Sequence, residues 1–179
     1  MSFGLTLLQI TLTTPAALMM SAPFPVHQAQ LSGPSGANRL IGGIISFAHW
    51  PDRAGERTDR SDRTLCVFGT PQLAVPVAPI VNGKPMTRII HRTTNPPNAL
   101  GCDILYLGKM GLPERAKLIQ SLSGRSILTI TDDDPNCSYG SMFCLYRQTN
   151  QVGFSVNLDA LKRGNMRVDP RVLRIGREG

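Results

Sequence analysis

The four cysteines of this 179-residue chain are the residues whose type and spacing most directly indicate chemistry. Cys66 lies within one apolar run and Cys102 opens another, whereas Cys137 and Cys144 lie seven residues apart around a Tyr-Gly pair. None belongs to a C-x-x-C pair, which disfavours a zinc ribbon or a thioredoxin-like redox site. Four cysteines allow three pairings; a local bridge between Cys137 and Cys144 is easy to close and would leave Cys66 with Cys102. An even number of cysteines favours disulfides in an exported protein, and buried free thiols in a cytosolic core are the alternative.

The other reactive side chains form no recognisable catalytic or metal-binding motif. His27, His49 and His91 are far apart in the sequence, and the acidic residues at 132–134 lack the spacing of an EF-hand calcium loop. The glycine-rich stretch at 32–36 follows no strand, so it is not a phosphate-binding loop. The chain also lacks the G-x-S-x-G, G-x-x-x-x-G-K-S/T and H-E-x-x-H motifs. We therefore expect no catalytic residue, no metal, no cofactor and no enzymatic activity.

The basic balance of the chain points to an anionic partner rather than to nucleic acid. There are 19 Lys and Arg against 12 Asp and Glu, which gives a formal net charge of +7. The excess lies in residues 64–130 and again in the tail at 162–178, without a run of five consecutive basic residues. Aromatic residues make up 6% of the chain, which is too few for an obvious base-stacking surface. Scattered arginines of this kind suit an anionic protein or the cell-envelope surface.

The first part of the chain has the composition of a leader followed by a linker. Residues 4–20 are apolar and uncharged, about the length of a signal-peptide core, and Pro15 interrupts them too early for a membrane span. We expect a signal or leader segment at 1–22, a Pro-, Gly- and Ser-rich linker at 23–37, and one domain at 38–179. No Lys or Arg precedes the apolar run, so an apolar first helix packed on the core is the alternative.

The hydrophobic pattern predicts a single α/β domain with a mixed parallel and antiparallel sheet of about six strands flanked by α-helices. The first helix is expected at Asn38–His49, with Asn38 as N-cap and the Trp50-Pro51 pair as its end. Further helices are expected at 113–123 and 158–163, and strands at 64–69, 86–92, 102–107, 127–131, 141–148 and 151–157. The strand–helix–strand order between 102 and 131 predicts a parallel pair, and the Thr149-Asn150 turn predicts a hairpin.

Several of these segments together resemble the YfiR family of periplasmic proteins. They are, in order, the helix ending in Trp50-Pro51, then Leu65-Cys66-Val67-Phe68-Gly69, Gly101-Cys102-Asp103-Ile104-Leu105-Tyr106, Leu128-Thr129-Ile130-Thr131-Asp132 and Val152-Gly153-Phe154-Ser155-Val156-Asn157-Leu158. The resemblance covers about residues 38–176, and the four cysteines accompany it. The chain departs from the family in its uncharged leader and in the proline-broken stretch 70–85, where a helix is usual.

The resemblance implies a regulatory protein held together by disulfides. It implies a mixed sheet flanked by helices, bridges from Cys66 to Cys102 and from Cys137 to Cys144, and a tendency to form homodimers. Members of the family repress a membrane diguanylate cyclase by binding its periplasmic domain, and an outer-membrane OmpA-like lipoprotein relieves the repression. The expected output is a lower level of cyclic di-GMP, and hence less exopolysaccharide and biofilm, with sensitivity to redox state through the disulfides.

For the partner-binding surface, the sequence favours apolar positions near the second cysteine pair and the carboxy-terminal end. Phe143, Ser155 and Leu161 are the candidates, and ordinary packing in the core or on a helix is the alternative for each of them. A second hypothesis for function is a periplasmic sensor that binds a small ligand. An apolar pocket at the sheet edge, with an arginine or Trp50 nearby, would favour it.

Overall fold

Helices cover both faces of a mixed β-sheet in this computed structural model. The structure describes residues 34–51, 59–73, 78–92, 98–149 and 151–176. The leader expected at 1–22 and residues 23–33 of the expected linker lie outside these ranges, so both stay predictions.

Strands and helices alternate along most of the described chain. The strands are β1 (Ala48–His49), β2 (Thr64–Phe68), β3 (Ile80–Val81), β4 (Lys84–Pro85), β5 (Arg88–Arg92), β6 (Ile104–Leu107), β7 (Leu128–Thr131), β8 (Phe143–Gln148), β9 (Gln151–Val156) and β10 (Arg167–Val168). The helices are α1 (Pro34–Phe47), α2 (Leu112–Ser121), α3 (Leu158–Arg163) and α4 (Val172–Ile175), with a 3-10 turn at Arg60–Asp62. Among these described helices, none combines the length and the apolar character needed to cross a membrane.

Six of the strands form the central sheet, in the order β5-β2-β6-β7-β8-β9. Neighbouring strands from β5 to β8 are parallel, and β8 and β9 form an antiparallel hairpin. The predicted α/β class, a single domain with a mixed sheet of about six strands flanked by helices, is confirmed. The parallel neighbours β6 and β7, with α2 between them in the chain, are the strand–helix–strand unit that the sequence predicts.

The first helix differs from the prediction at both ends. It begins at Pro34 rather than Asn38, because proline fits the first turn of a helix, where its missing N–H is no loss. Asn38 therefore lies inside the helix, 8% exposed, and is not its N-cap. The helix ends at Phe47 rather than His49, because the next two residues form β1 and pair with β10. Helix α1 thus takes in residues 34–37, which composition alone assigns to the linker.

Four strands begin one or two residues later than the apolar runs that predict them. The reason is clearest at Cys102, whose N–H donates to the Ala99 carbonyl at 3.2 Å and so belongs to a turn rather than to β6. The observed first residues of the four strands are Arg88, Ile104, Leu128 and Phe143.

The alternation of side chains along the strands divides the core between two layers. On the α1 face, buried residues of the helix pack on Leu65, Val67, Ile104, Tyr106, Leu128, Ile130, Phe143 and Leu145. On the α2 face, Leu118 and Leu122 pack with Cys66, Phe68, Leu105 and Leu107. Because successive residues of a strand point to opposite faces and both faces are covered here, β2, β6 and the first half of β8 are nearly continuous apolar runs. Strand β7 is buried throughout as well, with Thr129 and Thr131 between its apolar residues.

The proline-rich segment at 70–85 contains a short hairpin where the family resemblance implies a helix. Strands β3 and β4 pair there, and residues 74–77 lie outside the described ranges. The hairpin packs closely on α1, since a Cβ atom at Gly42 would overlap the Ile80 carbonyl. A glycine in mid-helix costs about 1 kcal/mol of helix propensity, and this close approach is the structural reason for it.

Candidate binding surfaces

Both disulfides lie on the α2 side of the sheet. They join Cys66 to Cys102 and Cys137 to Cys144, which are the pairs that the family resemblance implies. Cys66 belongs to the apolar cluster under α2. Cys144 faces the same side of the sheet, because its neighbour Phe143 faces the α1 core. The two bridges therefore brace the same face at two places, one under α2 and one beside the β8–β9 hairpin.

The second disulfide also fixes the start of α3. The Asn157 side chain accepts a hydrogen bond from the Ala160 N–H at 2.8 Å, which caps the helix. The same side chain donates through Nδ2 to the Cys137 carbonyl at 2.9 Å. Helix α3 is thus connected to the loop that the Cys137–Cys144 bridge closes, so the geometry of that loop and the position of the helix are coupled.

The three adjacent carboxylates at the end of β7 bind different parts of the protein rather than converging on one point. Asp132 accepts a hydrogen bond from the Tyr106 hydroxyl at 2.5 Å, and Asp133 pairs with Arg115 at 2.7 Å. Asp134 is 1% exposed and accepts from two backbone N–H groups of its own turn. Within the described ranges no three His, Cys, Asp or Glu side chains are placed to hold a metal ion. These carboxylates organise the loop at the strand end.

The crevice where this strand order usually places a ligand is closed by the main chain. The chain passes from β2 to β5 on one side and then to β6 on the other, and ligands of such sheets bind outside the strand ends at that reversal. Here Thr70 and Lys109 extend the two strands and exchange backbone hydrogen bonds of 3.0 and 2.8 Å. A Cβ atom at Gly108 would overlap the Thr70 carbonyl, so this glycine permits the close approach. The protein itself fills the position.

Of the three candidate partner-binding residues, one is buried and two are half-buried. Phe143 is fully buried in the α1-side core, with its ring 5.8 Å from that of Phe154, so its selection as an exposed contact residue is wrong. Cys144, which faces the other side of the sheet at the same place, is fully buried too. Ser155 is half-buried beside Cys144, and Leu161 is half-buried on α3 against the core.

Helix α3 does present an apolar side chain that the sequence reasoning missed. Leu158, in its first turn, is 65% exposed, and Lys162 and Arg163 follow in its last turn. Spacing alone could not find it, because Leu158 and Leu161 are three residues apart and both fit an inward-facing stripe. The structure separates them into an exposed and a half-buried leucine.

A groove of about 330 Å³ lies between α2, the start of β7, α3 and the loop of the second disulfide. Ile119, Leu122 and Met142 are among its apolar lining residues, and Arg125 and Arg163 supply its charged ones. Trp50 does not line the groove: its ring belongs to the α1-side core, 4.0 Å beneath the Arg63 guanidinium, and the residue is 9% exposed. The groove therefore has the arginines, and not the tryptophan, that the small-ligand hypothesis names.

The fold is an α/β domain with a closed strand-end crevice and two disulfides, and its groove and the exposed Leu158 lie on the α2 and α3 side. Residues 37–177 match the family model described as YfiR/HmsC-like. The chain belongs to this family. Its members are periplasmic and regulatory rather than catalytic, and membership indicates a regulator in a diguanylate cyclase system.

Proposed function

We propose that the protein represses an inner-membrane diguanylate cyclase by binding the periplasmic region of that enzyme. Family membership supports the regulatory role, and the exposed surface of α3 supports binding to a protein partner. Repression lowers cyclic di-GMP, and with it exopolysaccharide and biofilm. An outer-membrane OmpA-like lipoprotein relieves the repression by competing for the repressor.

The observation that carries the contact surface is Leu158, a large apolar side chain that is 65% exposed and followed by basic residues on a capped helix. An exposed leucine beside Lys162 and Arg163 suits an apolar pocket with an acidic rim on the partner. Ser155 and Leu161 complete the proposed surface, and Phe143 acts beneath it by fixing the hairpin. We call this set, Leu158 with Ser155 and Leu161, the α3 surface.

Repression of this kind needs no chemistry on the repressor. A protein that binds the inactive state of the cyclase better than the active state shifts the population toward the inactive state. About 1.4 kcal/mol of differential affinity shifts that equilibrium tenfold. The disulfides make the effect sensitive to redox state, because a reduced chain holds α3 less firmly and represses less.

The proposal includes a homodimer as the working form. In the described part of the sheet, β5 and β9 are the edge strands, and each offers backbone groups to a second chain. Sedimentation at increasing concentration distinguishes a dimer from a monomer without reference to any partner.

Substitution of Leu158 by aspartate tests the contact surface. Leu158→Asp places a charge where the proposed interface excludes water, so affinity for the immobilised periplasmic region of the cyclase falls by about tenfold or more. Leu158 is mostly exposed in the free protein, so the variant keeps its melting temperature. Biolayer interferometry measures the affinity, and circular dichroism follows the melting.

Leu112→Asp is the matched control, because Leu112 is also an exposed leucine in the first turn of a helix, 55% exposed at the start of α2. It should bind like the unmodified chain. Equal affinities for Leu158→Asp and Leu112→Asp, with both variants folded, place the contact elsewhere and contradict the α3 surface.

A further inference from the structure

The groove beside the second disulfide has the size and lining of a small-molecule site. Its volume is about 330 Å³, within the range of about 300–1,000 Å³ that small ligands occupy. Its walls are α2, the start of β7, the α3 helix, and the loop that carries Tyr139, Gly140 and Met142. A volume near the lower end of that range favours a compact occupant.

The charges of the groove are of one sign. Arg125 and Arg163 are its charged lining residues, and no carboxylate lines it. Neither guanidinium forms a hydrogen bond or an ion pair with a side chain in the described ranges, unlike Arg63, Arg115 and Arg171, which have acidic partners. Two arginines without an acidic side-chain partner in the described ranges, together with apolar lining residues, are complementary to a negatively charged group on an apolar body.

We propose that this groove binds a small organic anion, a carboxylate or sulfonate carried on an apolar group. Arg125 and Arg163 bind the anionic group, and the apolar body lies on Ile119, Leu122 and Met142. The site differs from the strand-end crevice, which the backbone closes, and from the exposed face of Leu158. It goes beyond the proposed repressor function, because it can be filled without any protein partner.

The second disulfide preorganises the groove. Tyr139 and Gly140 line it and lie within the loop that Cys137 and Cys144 close. Ala160, Arg163 and Gly164 line it from the α3 side. An anion held there contacts both the bridged loop and the helix that carries Leu158.

Calorimetric titration of the full chain with octanoate, and with 1-octanol as the uncharged analogue, tests the site. Octanoate should bind at one site per chain, and octanol much more weakly. Arg125→Gln and Arg163→Gln should each weaken octanoate binding about tenfold or more and leave octanol binding unchanged. Arg147→Gln, an exposed arginine on β8 that does not line the groove, is the matched control and should bind octanoate normally.

A second pair of variants tests the location without changing charge. Ala116 is exposed and lines the groove, whereas Ser121 is exposed on the same helix and does not line it. Ala116→Trp should block octanoate binding, and Ser121→Trp should not.

Four outcomes overturn the proposal: no octanoate binding to the folded chain, equal affinity for octanoate and octanol, full affinity in the Arg125→Gln and Arg163→Gln variants, or full affinity in Ala116→Trp. If Arg125→Gln or Ala116→Trp instead loses affinity for the cyclase region while octanoate never binds, the groove holds a protein segment and the small-anion assignment is wrong. All octanoate measurements are made without a cyclase, so their failure leaves the repressor function to its own test.

Discussion

Arg115 shows how one buried charge fixes the strand-end loop. Its side chain is 1% exposed, and its guanidinium donates to the Gly108 carbonyl, to the Thr131 hydroxyl and to Asp133. A buried guanidinium is tolerated only when it is paired and hydrogen-bonded, so Asp133 is the counter-charge that makes this position possible.

Asp133→Asn should therefore destabilise the protein. The substitution leaves a buried positive charge without its counter-charge, and the cost is about 1–2 kcal/mol, since Asp133 is itself 32% exposed and partly solvated. Urea unfolding at pH 7 measures the change in free energy of unfolding. Asp159→Asn, at an exposed position on α3, is the control and should change stability little. Equal stability of the two variants contradicts the role given to Asp133.

The ion pair between Asp169 and Arg171, near the carboxy terminus, makes part of the protein's stability depend on pH. The Arg171 side chain, and then its backbone N–H, donate hydrogen bonds that lower the pKa of Asp169 from 3.8 to about 2. Because the folded-state pKa lies below the ordinary value, the stabilisation that the Asp169–Arg171 pair gives the folded state is fully present above about pH 4. It is lost as the pH falls through about 2.

Carbon-13 NMR titration of the Asp169 carboxyl measures this pKa directly. In Arg171→Gln it should return toward 3.8. A pKa near 3.8 in the unmodified chain contradicts the pairing.

Among individual residues, the sequence predicted the pairing of the cysteines better than it predicted which residues are exposed for contact with a partner. The separation of seven residues between Cys137 and Cys144 already favours a local bridge, because chain geometry limits the choices. The exposure of Phe143 could not be read in the same way. Its neighbours on both sides are apolar, so the pattern does not say which face is covered, and only packing against α1 decides it. Arg125 and Arg163 are 38 residues apart in the sequence and meet at the groove only through the fold.

Among the elements, α3 depends on the loop of the second disulfide. Asn157 caps the helix and binds the Cys137 carbonyl, so loosening the loop releases the helix start. The first disulfide lies under α2 instead, and no contact of this kind connects it to α3 in the described ranges.

Removing the two bridges separately should separate stability from binding. In the chain-entropy model the Cys66–Cys102 bridge contributes about 3.8 kcal/mol and the shorter Cys137–Cys144 bridge about 2.5 kcal/mol. The Cys66→Ser, Cys102→Ser double variant should therefore lose more stability. The Cys137→Ser, Cys144→Ser double variant should lose more affinity for the cyclase region, because its α3 surface is less ordered.

Thermal melting and biolayer interferometry on the same samples give both quantities, with dithiothreitol-treated protein as the fully reduced reference. An unchanged melting temperature in dithiothreitol contradicts the stabilising role of the bridges. Equal affinity of the two double variants contradicts the link between the second loop and α3.

Element type was predictable where the pattern is strong, and element bounds were not where tertiary pairing decides them. Helix α3 was predicted with its observed bounds, which are followed by Gly164, and the structure adds the Asn157 cap at its start. Helix α1 was predicted to continue to His49, because nothing local shows that the last two residues pair with β10, more than a hundred residues later. The β3–β4 hairpin was not predicted for the same reason: it depends on a tertiary contact, with α1 at Gly42.

At the scale of the whole molecule, the fold is a scaffold whose usual ligand crevice is sealed and whose accessible features lie beside the second disulfide. The α3 surface and the arginine groove share the α3 helix, so an anion in the groove and a protein on Leu158 act on the same element. The net charge of +7 then favours encounter with an anionic partner in the envelope.

The proposed function is repression of a diguanylate cyclase through the periplasmic region of that enzyme. The most direct test is the rate of cyclic di-GMP synthesis by inner-membrane fragments that contain the cyclase and expose its periplasmic side, titrated with the oxidised protein. The rate should fall to a lower plateau as the protein saturates its site, and Leu158→Asp should shift the titration to higher concentration. A rate that stays constant at saturating concentrations of folded, oxidised protein contradicts the proposed repression.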